Sequence, residues 1–454
     1  MNIQYGIGFV EVELKELFDF VIGGDWGKDP DFTDESYSLA YCIRGSEFRN
    51  WKENKGKTAS LRKIKTSSVN TRKLKQGDIL VEISGGGPEQ PVGRTVIIDK
   101  SVLAYKSDIP KISTNFLRLI RITEHIDPNY LNLFLTFFYK SGEIVAYQGG
   151  SNNLRNLKFE EYALIKAPIP PLAEQHRIVT KIEELFSSLD KAIERITTAK
   201  QQLKVYRQAV LKWAFEGKLT NLTNENVISR VDEVAEVIDP QPSHRTPPEF
   251  IDGIPYVSIK DCDYGSNTIN FDGARKVHAN VLKEHVERYS LKKGDFIIGK
   301  IGTIGQPIHI YLPQNYTLSA NVVLIQPRGI NGKYLYYYFQ SNIIQTEFKK
   351  GQKATAQAAF GIQKVRALPI RVPLPDEQEK IVLEVESRLS VCDKIEEGIE
   401  TSLLKAEALR QSILKKAFEG KLVPQDPNDE SASKLIERIK TERERNSLVK
   451  GKKE

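Results

Sequence analysis

The chain has 454 residues, room for two or three domains of about 100–200 residues each. Apolar residues make up 40 % and charged residues 28 %, a soluble globular mix that excludes a disordered chain, and no apolar run approaches the roughly 18 residues of a membrane span. The net charge of +7 permits an anionic partner without requiring one, since a modest excess also serves solubility.

Cys42, Cys262 and Cys392 are odd in number and far apart, so neither a disulfide framework nor a CxxC-type metal site is available. The N-terminus lacks the basic-then-apolar order of a signal peptide, and a reducing cytosol is the expected compartment.

The first segment, 1–168, reads as an α+β domain. Between Arg44 and Lys75 there are 11 Lys or Arg against only Glu47 and Glu53, a local excess larger than the net charge of the whole chain. Small and polar residues interleave, predicting a loop-like basic segment suited to phosphate contact and groove entry. A solvated basic face is the plain alternative. Runs at 79–83 and 95–98 predict strands, and 130–139 a helix. Ser84-Gly85-Gly86-Gly87 and Gly93-Arg94-Thr95 fail the phosphate-loop pattern: five residues part Gly87 from Gly93, and Arg replaces Lys. They read as a turn leaving a strand, as does Gly302-Thr303-Ile304-Gly305. Asp127-Pro128-Asn129-Tyr130 is similar to the base-clamping loop of amino methyltransferases. With no glycine-rich cofactor loop after a strand, it reads instead as a helix N-cap with proline at N1.

The segment 169–220 follows Pro170-Pro171 and predicts one long helix ending at Gly217. Its heptad places Ile182, Leu189, Ile196, Leu203 and Val210 on one seam position, and Leu185, Ala192, Ala199, Tyr206 and Trp213 on the other. A second α+β domain is expected at 221–372, with strands at 295–298 and 321–325 and a helix at 333–348. Its basic residues are diluted by Glu284, Glu287 and Asp295. A second long helix is expected at 373–423, with Val385, Cys392, Ile399, Ala406 and Ile413 in register and Leu389, Ile395, Leu403 and Leu409 beside them. At about 1.5 Å per residue, such helices run to roughly 63 Å, too long an apolar stripe to leave in water. An antiparallel coiled coil of the two is the expected solution. The tail, 424–454, reads as a charged helix with Leu435, Ile436 and Ile439 as apolar spots, either docking a partner or standing in solvent.

An internal repeat organises this order. Aligned at an offset of 203, residues 174–219 and 377–422 share 21 of 46 positions without a gap. Shared pairs include Glu174-Gln175 with Glu377-Gln378, Asp190-Lys191 with Asp393-Lys394 and Arg207-Gln208 with Arg410-Gln411. Upstream, Leu14-Lys15-Glu16-Leu17 resembles Val231-Asp232-Glu233-Val234 and Gly77-Asp78-Ile79-Leu80 resembles Gly294-Asp295-Phe296-Ile297. Two further pairs join them: Tyr41 to Arg44 with Tyr256 to Lys260, and Arg62-Lys63-Ile64 with Arg275-Lys276-Val277. The plan is therefore variable, constant, variable, constant. The six histidines show no HExxH spacing and no Cys/His cluster, and there is no GxSxG elbow, so no catalytic constellation is found and no metal site is expected.

These residues match a family. Pro171-Leu172-Ala173-Glu174-Gln175 and Leu374-Pro375-Asp376-Glu377-Gln378 each open a helix that closes with Ala-Phe-Glu-Gly-Lys-Leu, at Ala214 to Leu219 and at Ala417 to Leu422. The chain thereby resembles the specificity subunit of Type I restriction–modification systems, over nearly its whole length. The second copy departs only by swapping Pro and Leu at the helix start.

The resemblance implies two α+β target recognition domains joined by two long antiparallel coiled-coil helices, with an internal pseudo-two-fold repeat. Each domain would read one half of a bipartite asymmetric site in double-stranded DNA. The helices would set the unread gap and dock two methyltransferase and two restriction subunits. The resemblance also implies no catalysis and no cofactor on this chain, with S-adenosylmethionine, ATP and Mg on the partner subunits. Candidate DNA contacts are Arg44, Arg49, Lys52, Lys55, Lys57, Arg62 and Lys63 in the first domain, and Lys260, Arg275, Lys276 and Lys300 in the second. Ile182, Leu189, Ile196, Leu203, Val210, Val385, Ile399, Leu409 and Ile413 are the candidate coiled-coil or subunit-interface residues. Two other classes remain open. One is a self-sufficient DNA-modifying enzyme, opposed by the missing cofactor loop. The other is a coiled-coil organiser binding RNA or acidic proteins, which salt-dependent but sequence-independent binding would favour.

Overall fold

The computed structural model describes residues 5–6, 8–87, 90–150, 154–220, 227–353 and 360–450, apart from the side chains at 352–353 and 446–450. The boundary expected at 221 and the last four residues of the tail lie outside them. The chain divides into two compact units, one of residues 1–194 with 403–454 and one of residues 195–402. The division cuts both long helices, so each unit holds the start of one and the end of the other.

In the first unit a four-stranded antiparallel sheet runs in the order Phe18–Gly23, Leu117–Ile122, Ile79–Glu82, Thr95–Ile97. The strand Ile79–Glu82 is buried on both faces, and its two-residue period sorts the burial. Ile79 and Val81 join a core with the helix Pro128–Lys140, while Leu80 joins Phe48, Trp51 and Val96 on the other side. A second sheet, Ser60–Lys65, Tyr37–Ile43, Lys111–Ser113, carries the basic region.

That region is therefore not a loop. It forms a 3-10 turn at Gly45–Asn50, a short helix at Trp51–Asn54, the strand Ser60–Lys65 and the helix Thr66–Arg72. The reason lies in its few apolar residues. Phe48, Trp51, Ile64 and Val69 are each buried, and together they pin a charged segment to two cores. Ser84–Gly86, read as a turn, is a short strand paired with Arg155–Leu157.

The second unit repeats the plan. Its four-stranded sheet is Ala235–Ile238, Val322–Pro327, Phe296–Gly299, Pro307–His309, and its three-stranded sheet is Arg275–Val277, Ile254–Val257, Thr317–Leu318. The turns before the matching strands agree in detail. Gly77 and Gly294 both take positive φ, at 87° and 98°, which favours glycine. The buried Asp78 and Asp295 then accept the backbone N–H groups of Lys75 and Lys292 at 2.6 and 2.8 Å. The helix expected at 333–348 is instead two, Gly332–Gln340 and Asn342–Lys353. Ser341 separates them with extended backbone, its hydroxyl donating to the Tyr338 carbonyl at 2.6 Å.

Both long helices have 44 residues, Leu172–Phe215 and Pro375–Phe418. In the second unit Lys200 pairs with Glu400 and Arg207 with Asp393. Partner numbers fall as residue numbers rise, so the pairing there is antiparallel. In the first unit the start of one helix, Ile178 and Ile182, shares a core with the end of the other, Ile413 and Phe418.

The first seam position holds: Ile182, Leu203, Val210, Val385, Cys392, Ile399, Ala406 and Ile413 are buried, and Leu189 and Ile196 half-buried. The second position is corrected. Ala192 and Ala199 are exposed, as are Tyr206, Trp213, Ile395 and Leu409, while Leu185, Leu389 and Leu403, also expected there, are half-buried. The inward column lies four residues after the first position, not three: Phe186, Ile193, Lys200, Arg207 and Ala214 in one copy, Leu389, Glu396, Leu403, Arg410 and Ala417 in the other. Charged side chains fill the middle of that column, so apolar counting points to its neighbour instead.

Both helix ends are latched alike. The fully buried Gln175 side chain accepts from the Asp127 N–H at 2.9 Å and donates to the Pro170 carbonyl at 2.9 Å. Gln378 does the same with Asn331 and Pro373, both at 2.8 Å. Asp127 and Asn331 in turn cap the helices Pro128–Lys140 and Gly332–Gln340, as expected of Asp127. At the far ends Phe418 meets Tyr130, Phe134 and Phe137, and Phe215 meets Tyr334 and Tyr338, with ring centroids 5.1–5.6 Å apart. Gly217 and Gly420 close both helices with positive φ.

In the tail helix, Ala432–Lys450, the three apolar spots neither stand in solvent nor lie open to a partner. Leu435, Ile436 and Ile439 are buried in the first unit's own core. Arg443 donates to the Lys15 and Phe18 carbonyls at 2.9 and 2.7 Å, which fixes the helix along that edge.

Candidate nucleic-acid interface

The structure sorts the eleven candidate cations by what they already hold. In the first unit Arg44 is the cap of the 3-10 turn: its guanidinium meets the buried Glu47 carboxylate at 2.7–2.8 Å and the Thr58 carbonyl at 3.1 Å. Lys52 pairs with Asp190 on the long helix. Lys55, in left-handed backbone, pairs with Asp99 at 2.7 Å. Burial opposes ionisation of Asp99, but the Lys55 ammonium, the Ser101 hydroxyl and the Val102 N–H outweigh it and lower its pKa to about 2.

Arg62 is held by Asp29 and the Trp26 carbonyl, its guanidinium 4.5 Å from the Trp26 ring centroid. Lys63 is half-buried on the strand Ser60–Lys65. Arg49 and Lys57 are exposed, and their side chains make no hydrogen bond or ion pair among the described residues.

In the second unit Lys260 and Lys276 are exposed, and Arg275 is half-buried, its Nε without a hydrogen-bond partner. Lys300 is placed differently from the rest: it is 8 % exposed and its ammonium sits 2.9 Å from Asp239, inside the fold. A strand-end position next to the half-buried Asp239 carboxylate turns a surface charge into an internal tie. Four of the seven cations in the first unit are also paired with carboxylates, though nearer the surface.

The first unit also forms a cleft of about 790 Å³ beside the 3-10 turn. Trp26, Arg49, Gln90, Asn115 and Phe116 line it, over a floor of Glu82 and Arg94. Glu82 is buried and takes two bonds from the Arg94 guanidinium, at 2.6 and 2.8 Å. That contact raises the Arg94 pKa against the opposing effect of burial. Of these residues sequence reasoning singled out only Arg49 as a contact and Arg94 as part of a turn. The others come from separate stretches that no spacing rule links. The one local signal is the glycine run at 85–87 with Gly93, where positive φ at Gly85 and Gly93 bends the chain around the cleft.

Among the described residues no group of three or more His, Cys, Asp or Glu is placed to hold a metal ion. Among the same residues no helix is long and apolar enough to cross a membrane.

Comparison with known proteins places this geometry. A family model described as the Type I restriction modification DNA specificity domain matches residues 7–204 and again 224–405. A Type I restriction enzyme EcoBI specificity subunit of Escherichia coli is 28 % identical over 306 residues, 61 % of this chain and 64 % of that protein's length. The StySPI specificity subunit of Salmonella potsdam is 27 % identical over 359 residues, 72 % of this chain and 74 % of the relative. Among solved structures, one from a study of assembly and conformational transition of the type I R-M system aligns with a TM-score of 0.68 at 18 % identity, covering 92 % of this chain and 99 % of the other. The HsdS subunit from Thermoanaerobacter tengcongensis aligns at a TM-score of 0.53, also at 18 % identity, over 91 % and 97 %.

Proposed function

We propose, from the premise that this chain belongs to the specificity-subunit family of Type I restriction–modification systems, that it directs such a complex to one bipartite, asymmetric site in double-stranded DNA. Each recognition domain reads one half. The paired helices set the unread gap and dock methyltransferase and restriction subunits. Catalysis, with S-adenosylmethionine, ATP and Mg, takes place on those partners in the cytoplasm, and this chain turns over nothing itself.

One observation carries the reading. The two units share their internal latches, Gln175 with Gln378, Phe418 with Phe215, and Arg410–Asp190 with Arg207–Asp393, while their outward surfaces differ. Equal mounts carrying unequal faces suit a duplex whose two half-sites are unlike. Half-sites about one helical turn apart, roughly 34–36 Å, are expected for domains on one face of DNA. Docking on the helices is supported by apolar side chains they leave exposed, among them Val205, Val391 and Leu404.

The test is methylome sequencing of a host expressing this chain with methyltransferase subunits, beside a host lacking the chain. N6-methyladenine at one gapped, asymmetric motif, present only with the chain, is the expected result. Methylation that persists without it would overturn the reading. In the same assay, a heptad inserted after Ile196 and after Ile399 should lengthen the gap and leave both half-sites unchanged.

A further inference from the structure

We infer that the cleft beside Arg49 is where the first recognition domain reads base edges, with Arg49, Asn115 and Gln90 as reading side chains and Phe116 as an apolar contact. This rests on the function proposed above and assigns it to one surface.

Arg44, Lys52, Lys55 and Arg62 are committed to carboxylates or carbonyls of their own unit, so engaging DNA through them would break internal ties. Arg49, Gln90 and Asn115 line the cleft, and their side chains make no hydrogen bond or ion pair among the described residues. The Thr114 hydroxyl, 1 % exposed and on the same wall, has no hydrogen-bond partner among the described residues either.

The walls are apolar where a polar rim would be cheaper. Phe116 is 50 % exposed and Leu154 49 %, both facing the cleft. Trp26 opposite is held in place by Arg62. The floor is rigid, since Arg94 bridges Glu82 to the Gly45 carbonyl.

These groups select the ligand's chemistry. Arginine matches guanine O6 and N7, asparagine and glutamine match adenine N6 and N7, and an aromatic edge suits the thymine methyl. At the floor the Arg94 guanidinium is already taken up by Glu82 and offers a phosphate no free cation. Gln90 and Asn115 each present a donor and an acceptor, which matches base edges rather than phosphate oxygens. Phosphate contact falls instead to exposed cations outside the cleft, Lys57 among them.

The second unit reads differently by this account. At the matching strand positions Gly299 stands for Glu82 and Gln306 for Arg94, so its floor has no ion pair of this kind.

The test is the methylome of this chain with its methyltransferase subunits, for the wild type and for Arg49→Lys, Asn115→Ala and Lys57→Ala. Arg49→Lys keeps the charge but loses the fork geometry that pairs with guanine. Arg49→Lys and Asn115→Ala should each relax one position in one half-site, with discrimination there falling about 5- to 150-fold, while the other half and the gap are kept. Lys57→Ala should lower methylation at every site without changing the motif. If Arg49→Lys and Asn115→Ala leave the motif intact, with hydrogen exchange of the first unit unchanged, base reading lies elsewhere and this inference fails. Should either variant unfold the unit, Asn115→Ser and Gln90→Ala supply the same readout. A wild type that yields no gapped motif sinks the proposed function itself, which separates the two failures.

Discussion

The two units are the instructive comparison. Each closes around an aromatic helix, Pro128–Lys140 or Gly332–Gln340, and in each the tip of a long helix completes the core. Phe418 fills the first and Phe215 the second, although each belongs to the helix that begins in the other unit. The same Gln bridges cap and proline in both, and the same Arg–Asp pair ties the helices. Away from those mounts the units part company: one has a guanidinium–carboxylate floor beneath a wide cleft, the other the buried His285 and a Lys300–Asp239 tie. Shared residues hold each unit together within itself, and unshared ones line its surface.

Removing the shared aromatic plug should have the largest effect. Phe418 touches three aromatic rings and is fully buried, so Phe418→Ala should cost about 3–5 kcal/mol, a transfer loss plus a cavity. The loss should be local. Hydrogen exchange should speed up in peptides of residues 1–194 and 403–454 and stay nearly unchanged in 195–402, with Phe215→Ala giving the mirror result. Uniform deprotection by either variant would mean that the two units do not open separately.

That mirror was legible in the sequence, because the repeat aligns Phe215 with Phe418 and Gln175 with Gln378 at one offset. Strand positions were legible too, since 79–83 and 321–325 are apolar enough to be buried on both faces. Two things were not. The second seam column was hidden because Lys200, Arg207, Glu396 and Arg410 occupy it, and their inward place depends on partners across the helix pair. The cleft was hidden because Trp26, Glu82, Arg94 and Phe116 meet only after the sheets form. Charge density drew attention to 44–75, yet much of that charge is neutralised at home.

Acid should separate the units more gently. His285 is fully buried among Gln241, Thr317 and Tyr289, and burial, with Arg288 assisting and Glu284 opposing, lowers its pKa. Burial and then Lys333 do the same to His309, whose ring stacks 3.7 Å from Tyr336. Both lie in the second unit. Their folded pKa values fall below the unfolded value of about 6.5, so the unfolded chain binds more protons as pH drops. Stability from these groups is present above about pH 6.5 and is lost below it, by no more than about 1.4 kcal/mol per pH unit for each histidine. Residues 195–402 should lose exchange protection between about pH 7.5 and about pH 5.5. His285→Gln should flatten that slope. An unchanged slope in the variant would assign the acid sensitivity to other groups.

The smallest effect sharpens the seam. Asp190 meets both Arg410 and Lys52, and its repeat partner Asp393 meets Arg207. All of these side chains keep some exposure, so a double-mutant cycle on Asp190 and Arg410 should return only about 0.2–1 kcal/mol of coupling. Leu409, one residue away, is 49 % exposed and lies off the seam, and Leu409→Ala should change stability by less than about 0.5 kcal/mol. Ile413→Ala, on the seam and 7 % exposed, should cost about 2–5 kcal/mol in the same denaturation series. The contrast decides between the two columns. Were Leu409→Ala the costlier change, the inward face would be the one that apolar counting selects, and the charged column would face solvent. A measurable Asp190–Arg410 coupling beside a neutral Leu409 would place the arginine inside the helix pair, where a charge specifies register at little gain in stability.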